Sequence, residues 1–296
     1  MIRSGVNLSI WLKLFLPVAN KIIITFDVEE FDLPVEFGSV ISFDEQIAIS
    51  KDGLDALLPL LSRYGVRATF FTTATYAAAD SSSIRTLAQT HEIGSHACCH
   101  STFLKNDYLA SKEMIENISG SVVSGFRMPR LLSVDFPELK KSGYLYDSSI
   151  NPTFLPGRYN KLSAPRTLHR EPASGLFELP ASVTPICRIP LFWLAFKNLP
   201  LFVYYRLCRR TLRHDGYLHL YFHAWEFADI SRFAVPRYIK KPSGKVLLEK
   251  MERLLMLLSD EGEYIPIVDF IMSQAMPKEG GNAGKSIRLM QLQGYL

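Results

Sequence analysis

Two imidazoles four residues apart, in His96-Ala97-Cys98-Cys99-His100, can reach a single metal ion if the chain between them turns. Spacing alone is weak evidence, because a chain with seven histidines places two this close by chance. A third donor strengthens it. Asp27-Val28-Glu29-Glu30 sets three carboxylates in four residues, directly after an apolar run, where like charges repel unless a cation lies among them. The pattern points to a His-His-carboxylate centre for a divalent ion, and imidazole suits zinc, iron, nickel and cobalt alike.

The elements that must position these groups follow from hydrophobic periodicity. Ile22-Ile23-Ile24-Thr25-Phe26 is a continuous apolar run that predicts a buried parallel strand ending at Asp27. A helix with Ile47, Leu54, Leu57, Leu58 and Leu61 on one face stops at Tyr64-Gly65, and a strand follows over 66–72. The alternation predicts a helix at 84–90, a strand at 92–95 ending at His96, a helix at 108–118, a strand at 125–127, a helix at 135–141 and a strand at 144–146 ending at Asp147. A Pro-rich stretch over 151–200 breaks the rhythm. It resumes with a strand at 217–222 ending at His223, an amphipathic helix at 246–258 and a last strand at 264–268. Repeated β-α units imply an α/β fold with a mostly parallel sheet and helices outside. Asp27, His96, Arg127, Asp147 and His223 all fall at strand C-terminal ends, which in a parallel barrel share one rim.

The reading divides the chain into an N-terminal apolar segment at 1–20, a catalytic domain at 21–275 with an insertion at 151–215, and a flexible tail at 276–296. A formal charge of +4 with scattered Lys and Arg gives no reason to expect a nucleic-acid partner. Cys98, Cys99, Cys187 and Cys208 form no CxxC pair and read as reduced, mostly buried thiols. The run at 8–19 is interrupted by Lys13, lacks a small-residue cleavage site and is too short to span a bilayer, so a cytoplasmic or inner-membrane-peripheral location is expected. A second apolar stretch at 186–207 contains two prolines, Arg188 and Lys197, which argue against a spanning helix. It either lies on a membrane surface or packs against the rest of the fold, and packing is the expectation.

Thr25-Phe26-Asp27-Val28-Glu29-Glu30 resembles the first motif of the polysaccharide deacetylases, the NodB-homology or carbohydrate esterase 4 group, in a divergent Asp-x-Glu form. The stretch from His91 to His100 is similar to the second motif, Gly125-Phe126-Arg127-Met128-Pro129-Arg130 to the third, Tyr146-Asp147-Ser148-Ser149 to the fourth, and Leu220 to Phe227 to the fifth. The motifs stand in the family's order. The resemblance implies a distorted, partly open (β/α) barrel of about seven mostly parallel strands and a metal-dependent hydrolase with zinc as the foremost ion. It further implies Glu29, His96 and His100 as ligands, with Glu30 as the alternative carboxylate. By the same resemblance Asp27 is the general base, Arg127 orients Asp27, His223 is the general acid, and Asp147 hydrogen-bonds His223.

The chemistry is coherent on its own terms, since amide hydrolysis needs an activated water, a stabilised oxyanion and a protonated leaving amine. Arg130 stands where the family usually has an aromatic, and could meet a phosphate or carboxylate on the substrate. Trp225 could supply a sugar platform, although an aromatic beside a strand is more often core. The expected substrate is an N-acetylated sugar in a polysaccharide or a lipid-linked glycan precursor of the cell envelope. The rival readings are a non-catalytic carbohydrate-binding relative and a hydrolase of a small non-sugar amide; a two-carboxylate glycosidase fits a histidine-rich site poorly.

Overall fold

A computed structural model of the chain describes residues 20–275, so the expectations for the apolar run at 8–19 and for the tail from 276 lie outside the described residues. The Ile22–Phe26 run becomes the central strand β1 (Lys21–Val28), buried from Ile22 onward as a β-branched and aromatic run between two covered faces must be. The other strands are β2 (Thr69–Thr72), β3 (Glu92–Ser95), β4 (Gly125–Phe126), β5 (Tyr146–Asp147), β6 (Phe154–Leu155), β7 (Tyr159–Asn160), β8 (His169–Arg170), β9 (Phe177–Glu178), β10 (Tyr217–His223) and β11 (Glu263–Tyr264). The main sheet runs β10-β1-β2-β3-β4-β5-β9-β8, with β11 pairing the start of β1. Every pairing in it is parallel except that of β8 with β9. The sheet curls into a half-barrel whose end strands do not meet, the distorted, open α/β barrel expected from the motifs.

Period-two alternation along β1 assigns its two faces. Ile22, Ile24 and Phe26 point outward to the helices α1 (Phe43–Arg63), α2 (Asp107–Ser119), α4 (Leu201–Asp215) and α5 (Gly244–Ser259), meeting a core that includes Leu54, Leu57, Ile115, Tyr204 and Leu254. Ile23 points inward and packs with Ile267, Phe270 and Ile271 of helix α6 (Ile267–Ala275), which fills the barrel near the start of β1. Asp27 belongs to the inward set at the opposite end of the strand. Helix α1 starts at an N-cap, where the Ser42 hydroxyl accepts the Glu45 N–H at 3.3 Å, and ends before Gly65, whose φ of +60° suits only glycine without strain.

Three expectations need correction. The final strand is only Glu263–Tyr264, and Val268 lies in α6; a short apolar run does not distinguish strand from buried helix by its period. The strand expected at 144–146 is Tyr146–Asp147. The thiols are free as expected, but only Cys208 is buried, because Cys98 and Cys99 lie on a half-open turn and Cys187 on the surface.

The stretch at 186–207 packs against the fold. It is split between α3 (Trp193–Asn198) and α4, and it buries Leu191, Phe192, Phe196 and Tyr204, each side chain stabilising the fold by roughly 1.5–3 kcal/mol. Ile186, Ile189 and Phe202 remain exposed. Among the described residues no helix is long and apolar enough to cross a membrane.

Candidate functional site

Parallel pairing of β1 and β10 sets Asp27 opposite His223, and pairing of β1 with β2 and of β2 with β3 brings the end of β3 to the same rim. His96 follows β3 immediately, its N–H donating to Thr72 O at 2.8 Å. Ala97 then adopts φ 63°, a left-handed conformation that costs a non-glycine residue energy and turns the chain so that His100 comes back over the rim. Glu29, two residues past Asp27, lies under both rings: its Oε2 is 3.0 Å from His96 Nε2 and 3.4 Å from His100 Nε2.

The hydrogen bonds behind the rings fix which nitrogen faces inward. His96 Nδ1 donates to Arg127 O at 2.8 Å, and His100 Nδ1 donates to the Asp32 carboxylate at 2.8 Å, leaving both Nε2 atoms directed at Glu29. Trp225 Nε1 donates to Glu29 Oε1 at 3.1 Å and so turns Oε2 to the histidines, where that buried oxygen has no hydrogen-bond donor. One donor atom from each of Glu29, His96 and His100 lies within 4.8 Å of the others, so the three side chains suit a single divalent ion. Burial pushes the Glu29 carboxyl up, but His100, His96 and His223 together hold it well below the usual carboxylate range. His100 is pulled the other way: burial lowers it, and Glu29 and Asp32 outweigh that and raise it to about 9. Glu30 is not part of this group, because its carboxylate takes the Thr73 hydroxyl at 2.6 Å, and burial raises its pKa.

Asp27 is held from behind. Arg127, almost wholly buried, donates from Nη1 to Asp27 Oδ1 at 2.6 Å, as the motif resemblance implied. The rest of the guanidinium is occupied by Ser148 O and Oγ at 3.1 Å each and by His219 Nε2 at 3.2 Å, with the Phe71 ring 4.2 Å away. Burial first and Arg127 second depress His219 to about 3, so it is neutral and accepts from Arg127. The free oxygen of Asp27 lies 4.0 Å from His96 Nε2 and 3.9 Å from His223 Nε2, between the Glu29–His96–His100 group and the His223 ring.

Asp147 does not reach His223. It accepts from the Ser149 hydroxyl at 2.6 Å and from the Ser149 N–H at 3.0 Å, and lies opposite Glu178, its register partner on β9. His223 Nδ1 is partnered by Glu226 at 3.1 Å instead. Four strands separate β5 from β10 in the sheet, so the contact that the resemblance implied is not made. Burial raises both carboxyls of the Asp147–Glu178 pair, and the neighbouring Asp147 charge raises Glu178 further. A carboxyl raised by folding binds its proton more tightly in the native state, so its contribution to stability is complete below the ordinary carboxylate range and is lost as pH climbs toward the folded value. Glu178→Gln, which keeps an acceptor for the Ile150 N–H, is expected to flatten the decline of the thermal midpoint between pH 5 and pH 9. A steeper decline in the variant would contradict the upward shift of Glu178.

Two substrate contacts expected from the sequence are differently employed. Arg130 pairs with Glu36 at 3.0 Å and Asp32 at 3.5 Å, so its charge is already balanced by the protein. Trp225 is buried, packed on Phe31 at 5.1 Å, and serves Glu29 through its N–H rather than presenting a face to solvent. The partly exposed aromatic beside His223 is Trp193 of α3, edge-on at 5.0 Å. His219, Asp32, Glu226 and Trp193 were given no role at this site from the sequence. His219 could have been given one, because His219, Tyr221 and His223 share one face of β10 at period two.

Comparison with solved structures bears on the fold. The fold is similar to that of a Mycobacterium smegmatis protein named as a polysaccharide deacetylase, with a TM-score of 0.61, 18% identity, and coverage of 91% of this chain and 96% of that one. A Pseudomonas aeruginosa protein named as a polysaccharide deacetylase gives 0.60 at 16% identity, covering 88% and 92%. Puue allantoinase gives 0.60 at 15% identity, also covering 88% and 92%. Among curated proteins none matches the sequence. The family model described as polysaccharide deacetylase matches residues 20–135, the stretch that carries Asp27, Glu29, His96, His100 and Arg127.

Proposed function

We propose that this chain is a metal-dependent deacetylase that hydrolyses the N-acetyl groups of a polysaccharide. The single observation carrying this reading is the convergence of Glu29, His96 and His100 with Asp27 and His223 on one rim, all buried or nearly so. Glu29, His96 and His100 would hold the ion, and a two-histidine, one-carboxylate set with room for a further ligand suits catalytic zinc. When bound, such an ion supplies a Lewis acid that polarises a carbonyl oxygen and acidifies water.

The remaining steps belong to the chain's own side chains. Asp27, its other oxygen fixed by Arg127, takes the proton of the attacking water through Oδ2. His223, on the far side of Asp27, gives a proton from Nε2 to the leaving amine. Its pKa is raised: burial opposes the charge, but the hydrogen bond to Glu226 and the charges of Glu29, Glu226 and Asp27 outweigh it. A raised pKa keeps the imidazolium populated toward neutral pH, as a general acid requires. The inward packing of 186–207 favours a soluble glycan over a lipid-linked precursor, and the internal pairing of Arg130 removes the reason to require an anionic one.

The test is acetate release from a panel of N-acetylated and O-acetylated glycans by the purified protein. Activity is expected on N-acetylated oligosaccharides, abolished by chelator and restored by zinc. Acetate release indifferent to chelator, or none from any glycan, would sink the proposal.

A further inference from the structure

The acid assigned to His223 rests against a buried ion pair that none of the family motifs predicted. One oxygen of Glu226, Oε1, accepts both the backbone N–H of His223 at 2.8 Å and its Nδ1–H at 3.1 Å. The other oxygen, Oε2, faces Lys197 Nζ at 3.3 Å, and both side chains are fully buried. Lys197 comes from α3, within the 151–215 insertion, and its ammonium is anchored by Ile239 O at 2.6 Å. Two indoles complete the enclosure. Trp225 stacks on His223 at 4.9 Å and 25°, Trp193 meets it edge-on, and Lys197 Nζ lies 5.4 Å and 5.5 Å from their respective rings.

Burying a carboxylate and an ammonium together is expensive, and an apolar pair of the same volume would fill the space at lower cost. The pair therefore needs a purpose beyond packing. We propose that Lys197 and Glu226 are positioning residues for His223: Lys197 pairs with the far oxygen of Glu226, and the near oxygen holds the imidazolium with Nε2 turned to Asp27. The proposal deepens the deacetylase reading, and rests on it for the role of His223 as acid. The direction of the effect follows from the groups that face His223: Asp27 from β1, Glu29 from the turn after β1, and Glu226 from the turn after β10, with Arg127 neutralising Asp27 and Lys197 behind Glu226. Among the described residues Glu226 is the one carboxylate hydrogen-bonded to the ring, and Lys197 faces its second oxygen at 3.3 Å.

The test is an NMR titration of the 15N-labelled histidines in the zinc-loaded protein, comparing wild type with Glu226→Gln, Lys197→Met and the double variant. Glutamine keeps an oxygen acceptor for both His223 hydrogen bonds and removes only the charge. The His223 pKa is expected to fall by about one unit or more in Glu226→Gln, the size of shift an adjacent opposite charge produces. The double variant is expected to match Glu226→Gln without a further fall, since Lys197 acts only through Glu226. Because neither buried charge is left unpaired in the double variant, it carries the test if Lys197→Met alone does not fold. In an active enzyme the alkaline limb of the kcat/KM profile moves to lower pH by the same interval, with zinc content unchanged. A purely structural pair would leave the His223 titration of the folded double variant at the wild-type value, which would overturn the proposal. If the wild-type protein releases no acetate, the deacetylase reading fails on its own, and the NMR shift still decides whether the pair acts on His223.

Discussion

Asp27→Asn is expected to lower acetate release by about 10²–10⁴-fold, the range a positioned acid or base supplies, while a stoichiometric divalent ion remains bound. Glu29→Ala is expected to lose the ion and the activity together. The contrast is sharp because the two carboxylates are two residues apart and yet differently held. Asp27 has one oxygen fixed at 2.6 Å by Arg127 and the other 3.9–4.0 Å from two imidazoles, too far to share a close contact with either. Glu29 has one oxygen fixed by Trp225 and the other 3.0–3.4 Å from both histidines, with no donor of its own. Asparagine at 27 also leaves the buried Arg127 without its counter-charge. Breaking a buried pair costs about 3–5 kcal/mol when one partner is deleted, and less when a neutral acceptor remains. Unfolding curves therefore accompany the kinetics. A folded, metal-loaded Asp27→Asn with near wild-type turnover would remove Asp27 as the base, and a Glu29→Ala variant that keeps its ion would remove Glu29 as a ligand.

How much of this was legible beforehand depended on distance along the chain. The clustering of Glu29, His96 and His100 was readable because its signals are local: two histidines four apart, an acidic cluster after an apolar strand, and strand ends that a parallel sheet must bring to one rim. The choice of Glu29 over Glu30 needed coordinates, since both follow the same strand and only the fold shows that Glu30 turns to Thr73. The contact with His223 that the resemblance implied for Asp147 fails for the complementary reason. A strand-end position places a residue on the rim but not at an angle around it, and β9, from within the insertion, supplies the neighbour it pairs with. The contacts made by Lys197 and Trp193 were beyond reach, because they join an irregular Pro-rich insertion to a turn about thirty residues later with no periodic pattern to announce them. The short strands β4 and β5 were blurred at their edges and β9 was missed for the same reason: a two-residue strand has no period to read.

Gly53→Ala, in the middle of α1 and remote from any motif, is expected to destabilise the protein by about 1–3 kcal/mol, the usual cost of overpacking a core, and to reduce turnover as well. In an exposed helix the same change would stabilise by up to about 1 kcal/mol, because alanine is the better helix former. Here a Cβ at position 53 would lie 2.0 Å from Ala224 O and 3.1 Å from Ala228 N, both backbone atoms that no rotamer change can move aside. The obstructed backbone is the turn Ala224–Phe227, which directly follows His223 and carries Trp225 and Glu226. Pushing it away from α1 loosens both the N–H that orients Glu29 and the carboxylate that holds His223. The loss of activity should therefore exceed what the unfolded fraction accounts for, and it should fall on kcat more than on KM. Gly65→Ala is the control. It sits at φ +60°, and a Cβ there would have nothing within 4 Å, so the change should cost backbone strain alone and leave the turnover of the folded protein unchanged. Urea unfolding together with acetate-release kinetics on both variants decides the matter. If Gly53→Ala proves as stable and as active as wild type, then α1 does not brace the turn that holds the acid.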